Sequence, residues 1–272
     1  MYKWIFSFLC LLLLQSCNTE KKLALEYAAD ANHPAVLLLY PDFLYKNNRE
    51  LNKIKDFDKL PKAVKDSIWL EKSHYLKYIT DSVFIDNFVH SFSNELEHYG
   101  IKIYHSVDLN SFLKSDSSAF FVNIAQMQME EYKFTYTDSE IFDDTTEYYK
   151  SLRLNGVDIN VWFEVNPLND SSGSQKLLFA GQTYTDHLKG RFRKQPLSGD
   201  VHYKYTVNTL KVDDVMNAST ILGAKYASWV FDYLMNSYLW RILNRHDFYF
   251  HYNRFKNRIE NAYHARLVPV DN

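Results

Sequence analysis

The stretch ASTILGAKYASWVFDYLMNSYLWRIL (Ala218–Leu243) constrains the fold more than any other part of this chain. Its spacing predicts one long helix. Leu222, Tyr226, Trp229, Val230, Tyr233 and Leu234 make one apolar face, and Phe231, Met235, Leu239 and Ile242 make a second. A helix apolar on two faces either lies deep in a core or keeps one face for a partner. On this reading Phe231, Met235, Leu239 and Ile242 form a partner surface. The helix also needs something broad to bury its first face, and the rest of the sequence supplies strands.

AVLLLYP (Ala35–Pro41) is a continuous apolar run closed by proline, the pattern of a buried central strand. Residues 42–79 are charged and helix-like in pieces, with Pro61 suited to a first helical turn, and read as a helical insertion. In TDSVFIDNFVHSFSNELEHYG, Ile85, Phe88, Val89, Phe92, Leu96 and Tyr99 recur at helical spacing. Thr80 or Asp81 can cap this helix and Gly100 can end it. IKIYH (Ile101–His105) follows as a strand, then a short helix near Phe112. Ala119–Asp138 reads as a long strand that leaves the core from Gln126 onward. Asn155-Gly156 signals a turn. Val157–Pro167 and Lys176–Thr185 form a hairpin, with Trp162 inside a core element, and 186–210 is a polar surface excursion. Trp69 falls in the exposed insertion. The order predicts an α+β or α/β fold, a mixed sheet with packed helices.

The first residues carry an address. Lys3 is followed by the eleven-residue apolar run Trp4–Leu14, interrupted only by Ser7. At about 1.5 Å per residue that helix is far shorter than a hydrocarbon core of roughly 30 Å, so it reads as an export signal. The run ends Leu14-Gln15-Ser16-Cys17, which resembles the lipobox of bacterial lipoproteins. The resemblance implies cleavage before Cys17 and acylation of its sulfur, so that the partner of Cys17 is a lipid bilayer. Residues 1–16 are then the signal and 17–33 a tether. A single domain covers 34–243, with the insertion at 42–79, and 244–272 is an aromatic, mildly basic C-terminal segment.

The two cysteines are Cys10 and Cys17, so the mature domain has no thiol. Thiolate catalysis, iron–sulfur clusters and cysteine zinc sites are excluded. A net charge of −2 implies no nucleic-acid partner. No GxSxG, HExxH, Walker or GxGxxG motif is present. His90 and His98 lie eight apart, not at ligand spacing. Asp247 and His251 are four apart, but the aromatics between them suggest a strand. Asp186-His187 lacks a nucleophile. Glu130 and Glu131 are strand neighbours and point to opposite faces. No cofactor, metal or catalytic residue is assigned, and the chain reads as non-enzymatic.

The lipobox, AVLLLYP, the helix Asp81–Gly100 with its following strand, the hairpin VWFEVNPLNDSSGSQKLLFAG and the helix beginning ASTILGAKYASWVFDYL together resemble periplasmic envelope-accessory lipoproteins. These are of the curli-secretion, penicillin-binding-protein-activator and transport-auxiliary types. The anchor, the missing chemistry and the two-faced helix point to a non-catalytic accessory lipoprotein with an envelope-protein partner or self-association; Asn18 after Cys17 favours the outer membrane, and the lack of an acidic run there favours the periplasm-facing side. The alternative is a glycan- or small-ligand-binding surface lipoprotein using exposed Tyr and Trp, of a chain that is 17% aromatic.

Overall fold

In the computed structural model, described for residues 19–30, 33–115, 119–142, 146–168 and 176–270, one antiparallel pair organises the rest. β4 (Phe120–Phe142) and β5 (Thr146–Pro167) pair along almost their whole length. β1 (Val36–Leu39) and β2 (Tyr45–Asn48) both run parallel to β4, end to end on its free edge. β3 (Ile103–Tyr104) pairs with β1. On the other side β6 (Leu177–Thr185) pairs with β5, and β11 (Val268–Pro269) with β6. The result is a mixed seven-stranded sheet, as the alternation of strand and helix patterns predicts.

A bulge keeps β4 in the core. Val122 and Ile124 face inward, the register shifts between Ile124 and Gln126, and Met127, Met129 and Glu131 then face inward. One extra residue reverses the two-residue parity. The sequence suggests that the strand leaves the core from Gln126, because the apolar positions change phase there. The bulge is what changes phase, and the core continues to Met129. Beyond Tyr132 the β4–β5 pair runs on as an arm, with Ile141 and Tyr149 exposed.

α3 (Asp81–His98) and α5 (Val212–Leu243) cover the inward face. Their contact depends on small side chains. Ser219, Gly223 and Ala227 of α5 recur every four residues and are buried. A Cβ on Gly223 would lie 2.4 Å from the Phe88 carbonyl oxygen, so glycine is what lets the two backbones meet. Gly100 has φ +82° and ends α3, as its position suggests. Thr80 makes no side-chain cap. Asp81 instead accepts from Leu44 N at 3.2 Å and pairs with Lys46 at 2.5 Å. On the opposite face, α4 (Leu109–Phe112) covers only the β1 corner, around Leu37 and Tyr104.

Several boundaries differ from the sequence reading. The segment 17–33, read as a tether, contains helix α1 over 19–29, with Ala24 and Tyr27 buried in the main core. The insertion at 42–79 contributes β2 to the sheet as well as α2 (Lys62–Lys72), and Trp69 is partly buried against the core. Glu131 fastens this insertion: its buried carboxylate accepts from Ser73 Oγ (2.8 Å) and from the backbone N–H groups of His74, Tyr75 and Leu76 (2.6, 3.1 and 3.2 Å). Converging backbone N–H groups hold an anion without a cation. Asn155-Gly156 is not a turn but lies inside β5, where Gly156 leaves room for the Tyr132 ring across the pair. The excursion 186–210 is a hairpin of β7 (His187–Lys194) and β8 (Val201–Asn208). The C-terminal segment is integral: β9 (Tyr249–Asn253) and β10 (Arg258–Ala262) form a hairpin whose Phe250, Tyr252 and Ile259 join the main core. Among the described residues no helix is long and apolar enough to cross a membrane.

Candidate ligand-binding face

In VDINVWFEVNP the apolar residues Val157, Ile159, Val161, Phe163 and Val165 fall at every second position, with Trp162 out of phase among them. Strand parity therefore sends Val157, Ile159, Val161, Phe163 and Val165 into the core, and they are buried. Asp158, Asn160, Trp162, Glu164 and Asn166 go to the other face, where all are half-buried. Register assembles them into rows across four strands. Asn47, Glu130, Asp158 and Thr183 make one row; Tyr45, Gln128, Asn160 and Gly181 the next; Gln126, Trp162 and Phe179 the third. Trp162 and Phe179 belong to neither hydrophobic cluster and pack on each other, with ring centroids 5.1 Å apart. Tyr45 and Phe43 form a second aromatic pair at 4.9 Å, each 50% exposed.

The polar side chains between these aromatics are held in place by one another. Gln126 donates to Gln128 (3.3 Å), and Gln128 and Asn47 donate to Glu130 (3.0 and 3.1 Å). Arg49 joins the two carboxylates, donating through Nε and Nη2 to Glu130 and through Nη2 to Asp158 (3.0 Å). Its guanidinium lies 4.7 Å from the Tyr132 ring centroid. Tyr132 Oη and Thr183 Oγ1 both donate to Asp158 Oδ1, at 3.0 and 2.7 Å. Asn123 donates to Glu164 at 2.9 Å.

Charge on this face is set by that network. Burial works against the Glu130 carboxylate, but bonds from Arg49 and Asn47 outweigh it and hold Glu130 below the ordinary range. The same bond raises Arg49. Tyr132 is pushed up, first by burial and then by its bond to Asp158. Arg49 faces Glu130 and Asp158, two carboxylates to one guanidinium. Among the described residues of these rows no further cation stands beside them for an anionic ligand.

Two glycines shape it. A Cβ on Gly156 would sit 2.6 Å from the Tyr132 ring, and one on Gly181 would sit 2.8 Å from Asn160 Oδ1. The Tyr132 ring and the Asn160 side-chain oxygen take the space that a Cβ would fill. Aromatic plates beside planar amides and carboxylates present apolar faces next to fixed donors and acceptors. That combination suits a ring with an apolar face and equatorial hydroxyls.

The residues singled out from sequence lie elsewhere. Cys17 is outside the described residues. Phe231, Met235 and Leu239 are fully buried, and only Ile242 is exposed, at 50%. Tyr27 of α1, Tyr99 and Tyr252 all pack on Phe231, with centroids 5.9, 4.2 and 5.9 Å away. The expected partner surface is thus covered by the chain's own N-terminal helix and C-terminal hairpin. His90 bonds Asn94, and Arg254 occupies Glu95 beside His98. Asp186 is buried, accepting from Asn155 N and Nδ2 and from Leu210 N, all at 2.8 Å, so it ties the β7–β8 hairpin to β5. His187 lines an open depression of ≈ 340 Å³ with Lys189, Thr206, Val207 and Asn208. Glu130 and Glu131 do point to opposite faces.

Asp247 pairs with Arg245, while His251 meets Asp232 of α5 instead, Nδ1 to Oδ2 at 2.6 Å. Asp232 also accepts from Tyr252 N at 3.0 Å, and Asn236, one turn on, bonds both the N–H and the C=O of Phe250 at 2.8 Å. Burial pushes the Asp232 carboxyl up and His251 pulls it back. These two side chains clamp the edge of β9 to α5. Among the described residues no group of three His, Cys, Asp or Glu is placed to hold a metal ion.

Trp162 is another residue the sequence reading misplaced, since it lies on the open face and outside both cores. The signal was present, since strand parity puts it with Asp158, Asn160 and Glu164 and not with Phe163.

No family model and no curated protein matches this chain. Among solved structures, a Helicobacter pylori protein described as a neuraminyllactose-binding hemagglutinin homolog aligns over 78% of this chain and 93% of its own, at 11% identity and a TM-score of 0.33. At that identity no residue role is carried from it to this chain.

Proposed function

We propose that this protein is an exported, lipid-anchored, non-catalytic binding protein whose open sheet face recognises neutral carbohydrate. The observation that carries the reading is the pair Trp162–Phe179, half-buried outside both cores and bordered by Asn160, Gln126 and Gln128. The apolar face of a pyranose would stack on the rings, and amides already oriented by their neighbours would meet its hydroxyls. The excess of carboxylates favours uncharged sugars over acidic ones. Anchoring rests on the signal-like Trp4–Leu14 and on Cys17.

Titration of the protein with neutral polysaccharides, followed by tryptophan fluorescence, tests the reading. Saturable binding that is lost in Trp162→Ala when followed by calorimetry, which does not depend on the deleted ring, with the fold retained, supports it. No binding to any β-glucan, mannan or chitin oligosaccharide would overturn it.

A second reading, an accessory to an envelope protein assembly, is favoured by a different observation. The β4–β5 arm runs beyond the core with Ile141 65% and Tyr149 75% exposed, apolar surface that a protein partner would cover. Crosslinking from Ile141 in intact envelopes distinguishes the two.

A further inference from the structure

We infer that the folded domain sits directly on the bilayer at its α1–α5 end, without a tether, and carries the β4–β5 arm away from the membrane. The inference rests on the proposed lipid anchor at Cys17.

The chain is already folded when it reaches residue 19. α1 begins there and is locked down within two turns. Ala24 is fully buried, and Tyr27 packs on Tyr238 of α5 at 4.9 Å. Glu20 bonds Arg245, just past the end of α5, at 2.7 Å. Cys17 precedes Thr19 by two residues, which span at most about 7 Å. An acylated Cys17 at the lipid surface therefore holds the start of α1 and the last turn of α5 against the headgroups. Ile242, half exposed in that last turn, is at this end.

The same chain geometry sets the direction of the arm. Tyr27 packs on His33 at 5.0 Å, His33 leads into β1, and Val36 of β1 is in register with Phe120, the first residue of β4. α5 begins beside Asn155, opposite Lys133 of β4, where Asn155 and Leu210 share Asp186, and it ends beside Glu20 of α1, so β4 runs away from the α1 end. Over its length to Phe142 a strand extends about 70 Å. A surface carried on the arm would work far from the bilayer, whereas a surface beside α1 would be occluded by lipid.

The test uses the full-length lipidated protein in vesicles of phosphatidylethanolamine and phosphatidylglycerol. Single cysteines at Ile242→Cys and Ile141→Cys are labelled with a fluorescent donor, with acceptor-labelled lipid in the bilayer. Energy transfer at 242 is expected to exceed that at 141 by roughly fivefold or more, given a separation of tens of ångströms. A flexible Gly/Ser insert of about 12 residues between Asn18 and Thr19 should reduce transfer at 242. Equal transfer from both labels, or an insert without effect, would overturn the direct seating. Absence of an acyl mass on the N-terminal peptide would instead defeat the anchor itself, so the two failures are distinguishable.

Discussion

The two faces of the sheet use the same strands for opposite ends. Under α3 and α5, β4 and β5 present Val122, Ile124, Met127, Met129, Val157, Ile159, Val161, Phe163 and Val165, all buried, with Glu131 as the one charged intruder at the margin. The residues between these in sequence project to the other face. There, Asn123, Gln126, Gln128, Glu130, Asp158, Asn160 and Glu164 surround a tryptophan. On the closed face, shape decides: Gly223 is needed because no side chain fits beneath Phe88. On the open face, bonding decides: Gln126, Gln128, Glu130, Asp158 and Glu164 are positioned by polar neighbours, and the aromatic pair belongs to no core cluster. A face that contributes little to the core is free to be spent on recognition.

The comparison can be broken from the closed side with the largest effect. Gly223→Leu drives a side chain into the α3 backbone and should lower the unfolding free energy by about 3 kcal/mol or more in urea titration. A loss under 1 kcal/mol would show that the α3–α5 contact is not close-packed. Next, Glu131→Leu leaves the donors of Ser73, His74, Tyr75 and Leu76 without their acceptor. The expected cost is about 3 kcal/mol, with faster hydrogen exchange across 73–78. Unchanged exchange there would mean that the insertion is held by other contacts.

Acid sharpens the contrast on the open face. The Glu130 carboxylate has a folded pKa below its ordinary 4.5. Its contribution to stability is therefore complete above that value and is lost as pH falls through the depressed folded pKa. Arg49→Met should remove most of this contribution, about 1 kcal/mol at neutral pH for a partly exposed pair, and flatten the stability profile below pH 4.5. An unaltered profile would exclude Arg49 as the group responsible. The smallest effect on stability is expected from Trp162→Ala, within about 1 kcal/mol, because the ring is only half-buried and outside the cores. A loss of 3 kcal/mol or more, measured the same way, would make Trp162 a core residue and remove the distinction between the faces.

Much of the architecture is legible in residues alone. AVLLLYP is a central strand because it is buried on both sides, by α3 and α5 on one face and by the α4 patch on the other. Gly100 ends α3 as a left-handed residue. The alternation from Val157 to Pro167 names both faces of β5. Other features were not legible because they depend on pairs distant in sequence. Asn155-Gly156 has the composition of a turn, yet Tyr132 requires that glycine inside a strand. The phase change at Gln126 looks like a strand leaving the core until the register with Trp162 shows a bulge. Neither Asp232 nor Arg49 stands in any motif, because their partners His251, Glu130 and Asp158 lie 19, 81 and 109 residues away.

The long helix states the division most clearly. From sequence alone, Ala218–Leu243 had to be a helix apolar on two faces, and both faces had to be covered. Local periodicity determines that much, since it depends only on the spacing of side chains along one element. What covers the second face was decided in three dimensions. Tyr27 from the start of the chain and Tyr252 from its end close over Phe231, and Asp232 and Asn236 clamp β9 alongside. A segment's own pattern records that it must be buried, but not by whom, because the covering residues contribute their apolar area from elsewhere in the chain.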